Sequence, residues 1–392
     1  MLSAQDNRTI TQVGPGTAGG TLLRCYWHPL AIDRELDEEP HTKFVRVLGE
    51  DLVLFRDKAG RTGLIADKCA HRSASLLYGR VEERGISCAY HGWLYDCDGN
   101  ILETPPERNE AIMRSVKARA YPTMVAMGLI WGYLGPAPAP VLPRFDMFNR
   151  RDGQYRITQY PRLDCNWFTA AENAVDSTHL QILHQASPFA KEVPENTTRG
   201  YIDDIESSEY YEVDYGIMKK RTYRDGTVDE HPMVFPLWLR TRNSMWMRTP
   251  MDDEHTMHWT LSFQKNDTGA EEEQNPQVDY LAPFKEPADA LHPIAKFEMP
   301  SRRGWPLSED LVMWETQGAI PDREIEHLAD SDRGVVMLRR MMLDNVARVQ
   351  RGEDPIGVYR DPTHDVIDTH FDRSVAMHYP TGIKTRTVAP VR

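Results

Sequence analysis

Cys69-Ala70-His71 and, after sixteen intervening residues, Cys88-Ala89-Tyr90-His91 are the two stretches on which the reading of this chain turns. Each follows a strand-like run, so that two loops can meet and pool four ligands. A tetrahedral zinc ion accepts two Cys and two His. So does a [2Fe–2S] cluster in which two Cys hold one iron and two His the other. Structural zinc motifs usually group like with like, as C-x2-4-C and H-x3-5-H. Here each loop supplies one Cys and one His, which suits two sulfide-bridged irons, each drawing one ligand from each loop. The other cysteines, Cys25, Cys97 and Cys165, have no paired His and read as small buried hydrophobes. An odd, sparse set of five Cys is no disulfide framework.

Working outward, Phe44–Leu48 and Leu52–Phe55 flank the turn Gly49-Glu50-Asp51, a hairpin pattern. Gly128-Leu129-Ile130-Trp131-Gly132-Tyr133-Leu134 reads as a buried strand and runs into the Pro-rich break 135–140. The expected division is a β domain over 1–140 and a second domain over 141–392. In the second, a strand is expected near Gln154–Tyr160, a helix from a cap at Asp164 to about His184, and strands across 209–264. A final helix is expected, capped at Ser331-Asp332 and stopped by Gly352. The fold class is therefore α+β: an N-terminal all-β domain, then an α+β domain with an antiparallel sheet flanked by helices. At 392 residues the chain is long enough for two cores. The net charge of −13 argues against nucleic acid or an anionic membrane as partner. No run of 18 apolar residues occurs, so no membrane span is expected. The start lacks a secretion signal, and the expected compartment is the cytoplasm.

A second constellation is Asn173-Ala174-Val175-Asp176-Ser177-Thr178-His179-Leu180-Gln181-Ile182-Leu183-His184. Asp176 and His179 share a helix face. His179 and His184 are five apart, about 140° around a regular helix, which is too far for one metal. A π-type turn or a broken helix would bring them together.

Together the two constellations resemble the Rieske non-haem iron oxygenases: C-x-H-x16-C-x2-H followed by Gly92-Trp93, then N-x2-D-x2-H-x4-H. Ala70 stands where the family usually has Pro, at a position that does not ligate. Further likeness points to the branch built of α subunits alone, typified by phthalate dioxygenase. It lies in Gly14-Pro15-Gly16-Thr17, Trp314-Glu315-Thr316-Gln317-Gly318, Asp322-Arg323, Glu326-His327-Leu328 and Ser331-Asp332. The resemblance implies that Cys69, His71, Cys88 and His91 hold a Rieske cluster. It implies a mononuclear Fe(II) on His179, His184 and a downstream carboxylate, for which Asp310 is chosen over Glu309, Glu315 and Asp322. Two His and one carboxylate leave positions open for O2 and substrate. It also implies a head-to-tail homotrimer, or stacked trimers, in which Asp176 bridges His91 of one subunit to His179 of the next. Asn173 matches a position lining the iron site.

The implied activity is that of a terminal oxygenase hydroxylating an aromatic compound. Monooxygenation such as O-demethylation of a methoxylated aromatic acid is favoured over cis-dihydroxylation of a phthalate- or benzoate-like acid. Trp238, Met245, Trp246, Met247 and Trp259 are apolar pocket candidates, and Arg240, Arg242 and Arg248 are candidate partners for an acidic substrate. No G-x-G-x-x-G fingerprint is read, so electrons from NAD(P)H are expected to arrive through a separate flavin- or ferredoxin-type reductase. An electron carrier with only the cluster, and a zinc-stabilised binding protein, are the competing readings.

Overall fold

A computed structural model describes residues 2–108, 111–183, 205–280 and 306–369. The chain divides into two compact units, Val13–Leu142 with Arg360–Pro362, and Met1–Gln12 with Pro143–Tyr359 and Thr363–Arg392. Residues 1–12, expected in the first domain, instead group with the second. Helix α1 (Ala4–Thr11) buries Ile10 and Thr11, the Leu2 amide donates to the Arg323 carbonyl and Asn7 Nδ2 to the Pro321 carbonyl.

The first unit holds two short helices, α2 (Ala18–Leu23) and α3 (Ala111–Ser115), so it is mainly rather than purely β. Its strands are β1 (Trp27–Ile32), β2 (Thr42–Val47), β3 (Glu50–Arg56), β4 (Thr62–Ala66), β5 (Arg80–Glu82), β6 (Gly85–Ser87), β7 (Leu94–Tyr95), β8 (Ile101–Glu103), β9 (Ala120–Tyr121), β10 (Thr123–Ala126) and β11 (Leu129–Tyr133). They form three antiparallel sheets, ordered β1-β11-β10, β2-β3-β4-β9 and β5-β6-β7-β8. The expected hairpin is β2–β3. Gly14-Pro15-Gly16-Thr17-Ala18-Gly19 does spell G-x-G-x-x-G, which corrects the reading that the spacing is missing. No strand precedes it and only the six-residue α2 follows, so it lacks the strand–turn–helix setting of a dinucleotide site.

The second unit is built on one eight-stranded sheet of β12 (Gly153–Leu163), β13 (Ile205–Val213), β14 (Gly216–Tyr223), β15 (Val228–Val234), β16 (Trp238–Thr241), β17 (Ser244–Pro250), β18 (Thr256–Lys265) and β19 (Gln277–Tyr280). Its order is β13-β14-β15-β16-β17-β18-β12-β19, antiparallel except for the parallel pair β12–β19. Among the described residues, helices α4 (Trp167–Ala174), α5 (Thr178–Ile182), α6 (Pro306–Thr316) and α7 (Arg333–Gln350) accompany the sheet, together with α1.

The helix expected from Asp164 to His184 is two helices. Asn166, not Asp164, caps α4 by accepting the Phe168 amide, while the Asp164 amide donates to Glu315. Val175 leaves the helical region, and Asp176 starts α5 by accepting the Thr178 amide. The ends of α4 and α6 are tied together, because the Asn166 amide also donates to the Ala319 carbonyl just past Gly318, at φ +90. Among the described residues no helix is long and apolar enough to cross a membrane.

Candidate functional site

The loops bearing Cys69 and Cys88 share one construction. The Cys69 amide donates to the Ala74 carbonyl and the Ser73 amide to the Cys69 carbonyl; the Cys88 amide donates to Trp93 and the Gly92 amide to Cys88. Ser73 and Gly92 close the two turns at φ 57 and 73, the left-handed region. Both sulfurs lie in the apolar core with Phe55, Ile65, Ile86, Trp93 and Tyr95, whereas His71 and His91 reach solvent. The two imidazole centroids stand 4.6 Å apart, and Trp93 stacks on His71 at 4.7 Å.

Burial pushes the Cys69 thiol up, and the Tyr95 hydroxyl, 3.1 Å from its sulfur, acts the other way. That hydroxyl accepts the Ala70 amide, which leaves its proton for the sulfur. Burial and the Cys69 sulfur in turn hold Tyr95 well above the usual phenol range. Tyr95, which the sequence reading missed, reaches the first loop through these two hydrogen bonds, a contact no local pattern records.

The donor set fits a Rieske cluster. Two thiols face each other within the core, and His71 Nδ1 is a buried nitrogen with no hydrogen-bond partner among the described residues. Among those residues no three His, Cys, Asp or Glu side chains close on one ion position. A cluster with two protein ligands per iron does not call for three.

In the second unit the helix break brings Asn173, Asp176, His179 and Asp310 together. His179 Nδ1 lies 3.1 Å from Asp176 Oδ2, while its Nε2 lies 3.3 Å from Asn173 Nδ2 and 3.6 Å from Asp310 Oδ1. Asn173 Nδ2 also donates to Asp310 Oδ1 at 3.3 Å. A carboxylate at Nδ1 places the imidazole proton there and turns the Nε2 lone pair toward Asp310. Ligands about 2 Å from one metal stand about 3 Å apart at right angles, so the His179 and Asp310 spacing suits a shared ion. His184, the third residue expected here, lies outside the described residues.

Of the alternative carboxylates, Glu315 accepts the Asp164 amide, and exposed Asp322 accepts the Glu324 amide in a local turn. Glu309 is fully buried on α6 beside Asp310. Burial alone would raise the Asp176 carboxyl. The His179 ring, the Thr178 amide and the charge of Lys219 outweigh it and hold the group below the usual carboxylate range. Lys219 is a second residue the sequence left unread. Buried on β14, it donates to the Asp176 carbonyl at 3.1 Å, and burial with the neighbouring Arg221 charge pulls it down to about 7.

Arg323 and Glu326 of the stretches Asp322-Arg323 and Glu326-His327-Leu328 now have a physical role. Arg323 and Arg339 both bind Glu172, and Arg339 also holds Glu326. These ion pairs clamp the last turn of α4, where Asn173 sits. Alternation along β17 separates the pocket candidates. Trp246 and Arg248 share the face packed by α4 and α6, while Met245, Met247, Trp238, Trp259 and Arg240 lie on the opposite face. Arg242 occupies the β16–β17 turn at φ 47.

A family model described as the Rieske [2Fe–2S] domain matches residues 18–122, and one described as LigXa C-terminal domain like matches 298–371. The chain is 35% identical over 378 residues to the 5,5'-dehydrodivanillate O-demethylase oxygenase subunit of Sphingobium sp. (strain NBRC 103272 / SYK-6), covering 92% of this chain and 84% of that one. It is 31% identical over 394 residues to the phthalate 4,5-dioxygenase oxygenase subunit of Pseudomonas putida, covering 91% and 89%. The terminal oxygenase of carbazole 1,9a-dioxygenase from Nocardioides aromaticivorans IC177 shares the fold, with a TM-score of 0.58 at 18% identity over 89% of this chain and 97% of that chain. Likeness along nearly the whole chain, on top of a paired Cys/His loop fold and a His–carboxylate site, places the protein among the Rieske non-haem iron oxygenases, in the branch that includes phthalate dioxygenase, with a [2Fe–2S] cluster, a mononuclear iron and O2 as co-substrate.

Proposed function

We propose that this chain is a terminal oxygenase that O-demethylates a methoxylated aromatic acid. The observation that carries the reading is the meeting of His179 Nε2 and Asp310 Oδ1, 3.6 Å apart, at a helix break in a chain of this family. Likeness to an O-demethylase subunit along 92% of the chain favours demethylation. The reaction consumes the methoxyarene, O2, two electrons and two protons, and yields the phenol, formaldehyde and water. The cluster and the iron, when bound, supply the electrons and the O2-activating centre.

In this reading Cys69, His71, Cys88 and His91 hold the cluster, and His179, His184 and Asp310 hold the iron. Asp176 fixes the His179 tautomer, and Asn173 steadies the Asp310 carboxylate. Asp310 is buried, and its neighbour Leu311 packs with Ala170 and Trp314, which limits water at that side of the site. A reductase, itself reduced by NAD(P)H, is the electron donor. The active form is a ring of three in which Asp176 bridges to His91 of a neighbour. In one chain Asp176 and His91 both keep some exposure, as such a bridge needs.

Likeness to a phthalate 4,5-dioxygenase subunit supports a second reading, cis-dihydroxylation of a phthalate-like acid. Turnover of 4-methoxybenzoate and phthalate with a ferredoxin-type reductase and NADH separates the two. Stoichiometric formaldehyde supports demethylation. A cis-dihydrodiol without formaldehyde supports the second reading and rejects the first.

A further inference from the structure

Tyr160, His258 and Arg248 form one row across β12, β18 and β17, since Tyr160 pairs with His258 and His258 with Arg248. Residues directly opposite one another share a sheet face. This is the face under α4 and α6. The His258 ring lies 5.9 Å from both Trp314 and Trp246 and 6.2 Å from Tyr160. Trp314 is one helical turn beyond Asp310 on α6.

Arg248 is fully buried, and none of its three guanidinium nitrogens has a hydrogen-bond partner among the described residues. Neither ring nitrogen of fully buried His258 has one, nor has the buried Thr260 hydroxyl, two residues along the same face. The other buried arginines among the described residues are all paired: Arg221 with Asp229, Arg240 with Asp146, Arg323 with Glu172, and Arg339 with Glu172 and Glu326. Among the described residues Arg248 has the Trp314 ring, 5.8 Å from its Cζ.

An uncompensated buried cation is strongly unfavourable, and native interiors seldom leave so many polar atoms unsatisfied together. Burial pulls Arg248 down to about 9 against the pull of Asp310, so it is still a cation at neutral pH. Burial and the Arg248 charge keep His258 neutral, with one N–H to give. A guanidinium fork, an imidazole N–H and a hydroxyl on one face match the two oxygens of a carboxylate.

We infer that Arg248, with His258 and Thr260 beside it, receives the carboxylate of the aromatic substrate and so directs the far end of the ring toward His179 and Asp310. This rests on the reading above that the substrate is an aromatic acid. Arg240, committed to Asp146 on the opposite face, is not that receptor.

The test is calorimetric binding of 4-methoxybenzoate and its methyl ester to the anaerobic holoenzyme. Wild type is expected to prefer the acid by roughly 100-fold. Arg248→Gln loses that preference through a weaker acid alone, and Arg248→Lys retains part of it. In the ligand-free state Arg248→Met is expected to melt above wild type, because it removes an unpaired buried charge. No preference for the acid in wild type, equal loss of acid and ester in Arg248→Gln, or a lower melting temperature in Arg248→Met overturns the subsite. Acid-selective binding without turnover sinks the demethylation reading and leaves the subsite standing. Demethylation that ignores both the ester and the Arg248 substitutions does the reverse.

Discussion

Asp176 accepts from His179 through one oxygen and from the Thr178 amide through the other. Replacing it by Asn keeps the shape and loses the charge that fixes the imidazole proton on Nδ1. Asp176→Asn is expected to lower iron affinity about 10- to 100-fold, measured by metal titration of the iron-depleted chain, with the cluster absorbance intact. Unchanged affinity would mean that Asp176 does not set the tautomer.

His28 makes a pH prediction in the first unit. Fully buried on β1, it donates from Nε2 to the Leu23 carbonyl, and burial lowers its pKa from 6.5 to about 4. The unfolded chain therefore binds the proton first, and stability falls as pH drops from 6.5 toward 4. Between pH 7 and 5 wild type should lose about 2 kcal/mol more than His28→Gln, read from denaturant unfolding at the two pH values. Parallel losses would contradict this.

The candidate residues of both sites stood out in the sequence through the paired Cys/His loops and the family resemblance, and the fold brings Asn173, Asp176, His179 and Asp310 together. Tyr95, Lys219 and the Arg248–His258 pair were not, because their roles come from strands that meet only in the fold. Arg248 stood among three arginines of equal standing until the β17 alternation and its missing counter-charge set it apart.

At the scale of elements, the decisive feature is the break between α4 and α5. No Gly or Pro marks it in the sequence, and tertiary ties impose it instead. One of these is Gly334, near the start of α7: a Cβ there would lie 2.2 Å from the Val175 carbonyl oxygen and 2.5 Å from the Tyr210 ring. Gly334→Ala must push α7 away from the break. A stability loss of about 1–3 kcal/mol is expected with reduced iron content and an unaltered cluster spectrum. Full iron occupancy would show that the break does not depend on this contact.

The β2–β3 hairpin, β11 and α7 were legible from alternation, turn residues and helical spacing. The parallel β12–β19 pair was not, because the two strands are more than a hundred residues apart and no local pattern records their meeting. Asn166 is the cap, while the Asp164 carboxylate pairs with Arg162 and its amide donates to Glu315 on α6.

For the whole molecule, the proposed ring makes cluster and iron useful only across subunits. His91→Ala and Asp310→Ala should each be inactive alone. After subunit exchange, a mixture should recover part of the activity, since a sound cluster and a sound iron then meet at some interfaces. No recovery despite demonstrated exchange would contradict the ring.

A single-turnover reaction tests the oxygenase reading most directly. The chain, loaded with iron and reduced without air, is freed of reductant and mixed with 18O2 and 4-methoxybenzoate, with no reductase present. Expected is 4-hydroxybenzoate whose phenol oxygen carries no label, with formaldehyde in equal amount, as hydroxylation of the methyl group requires. A product bearing two labelled oxygens would contradict demethylation, and no oxygenated product from a chain whose cluster is reoxidised would contradict the reading altogether.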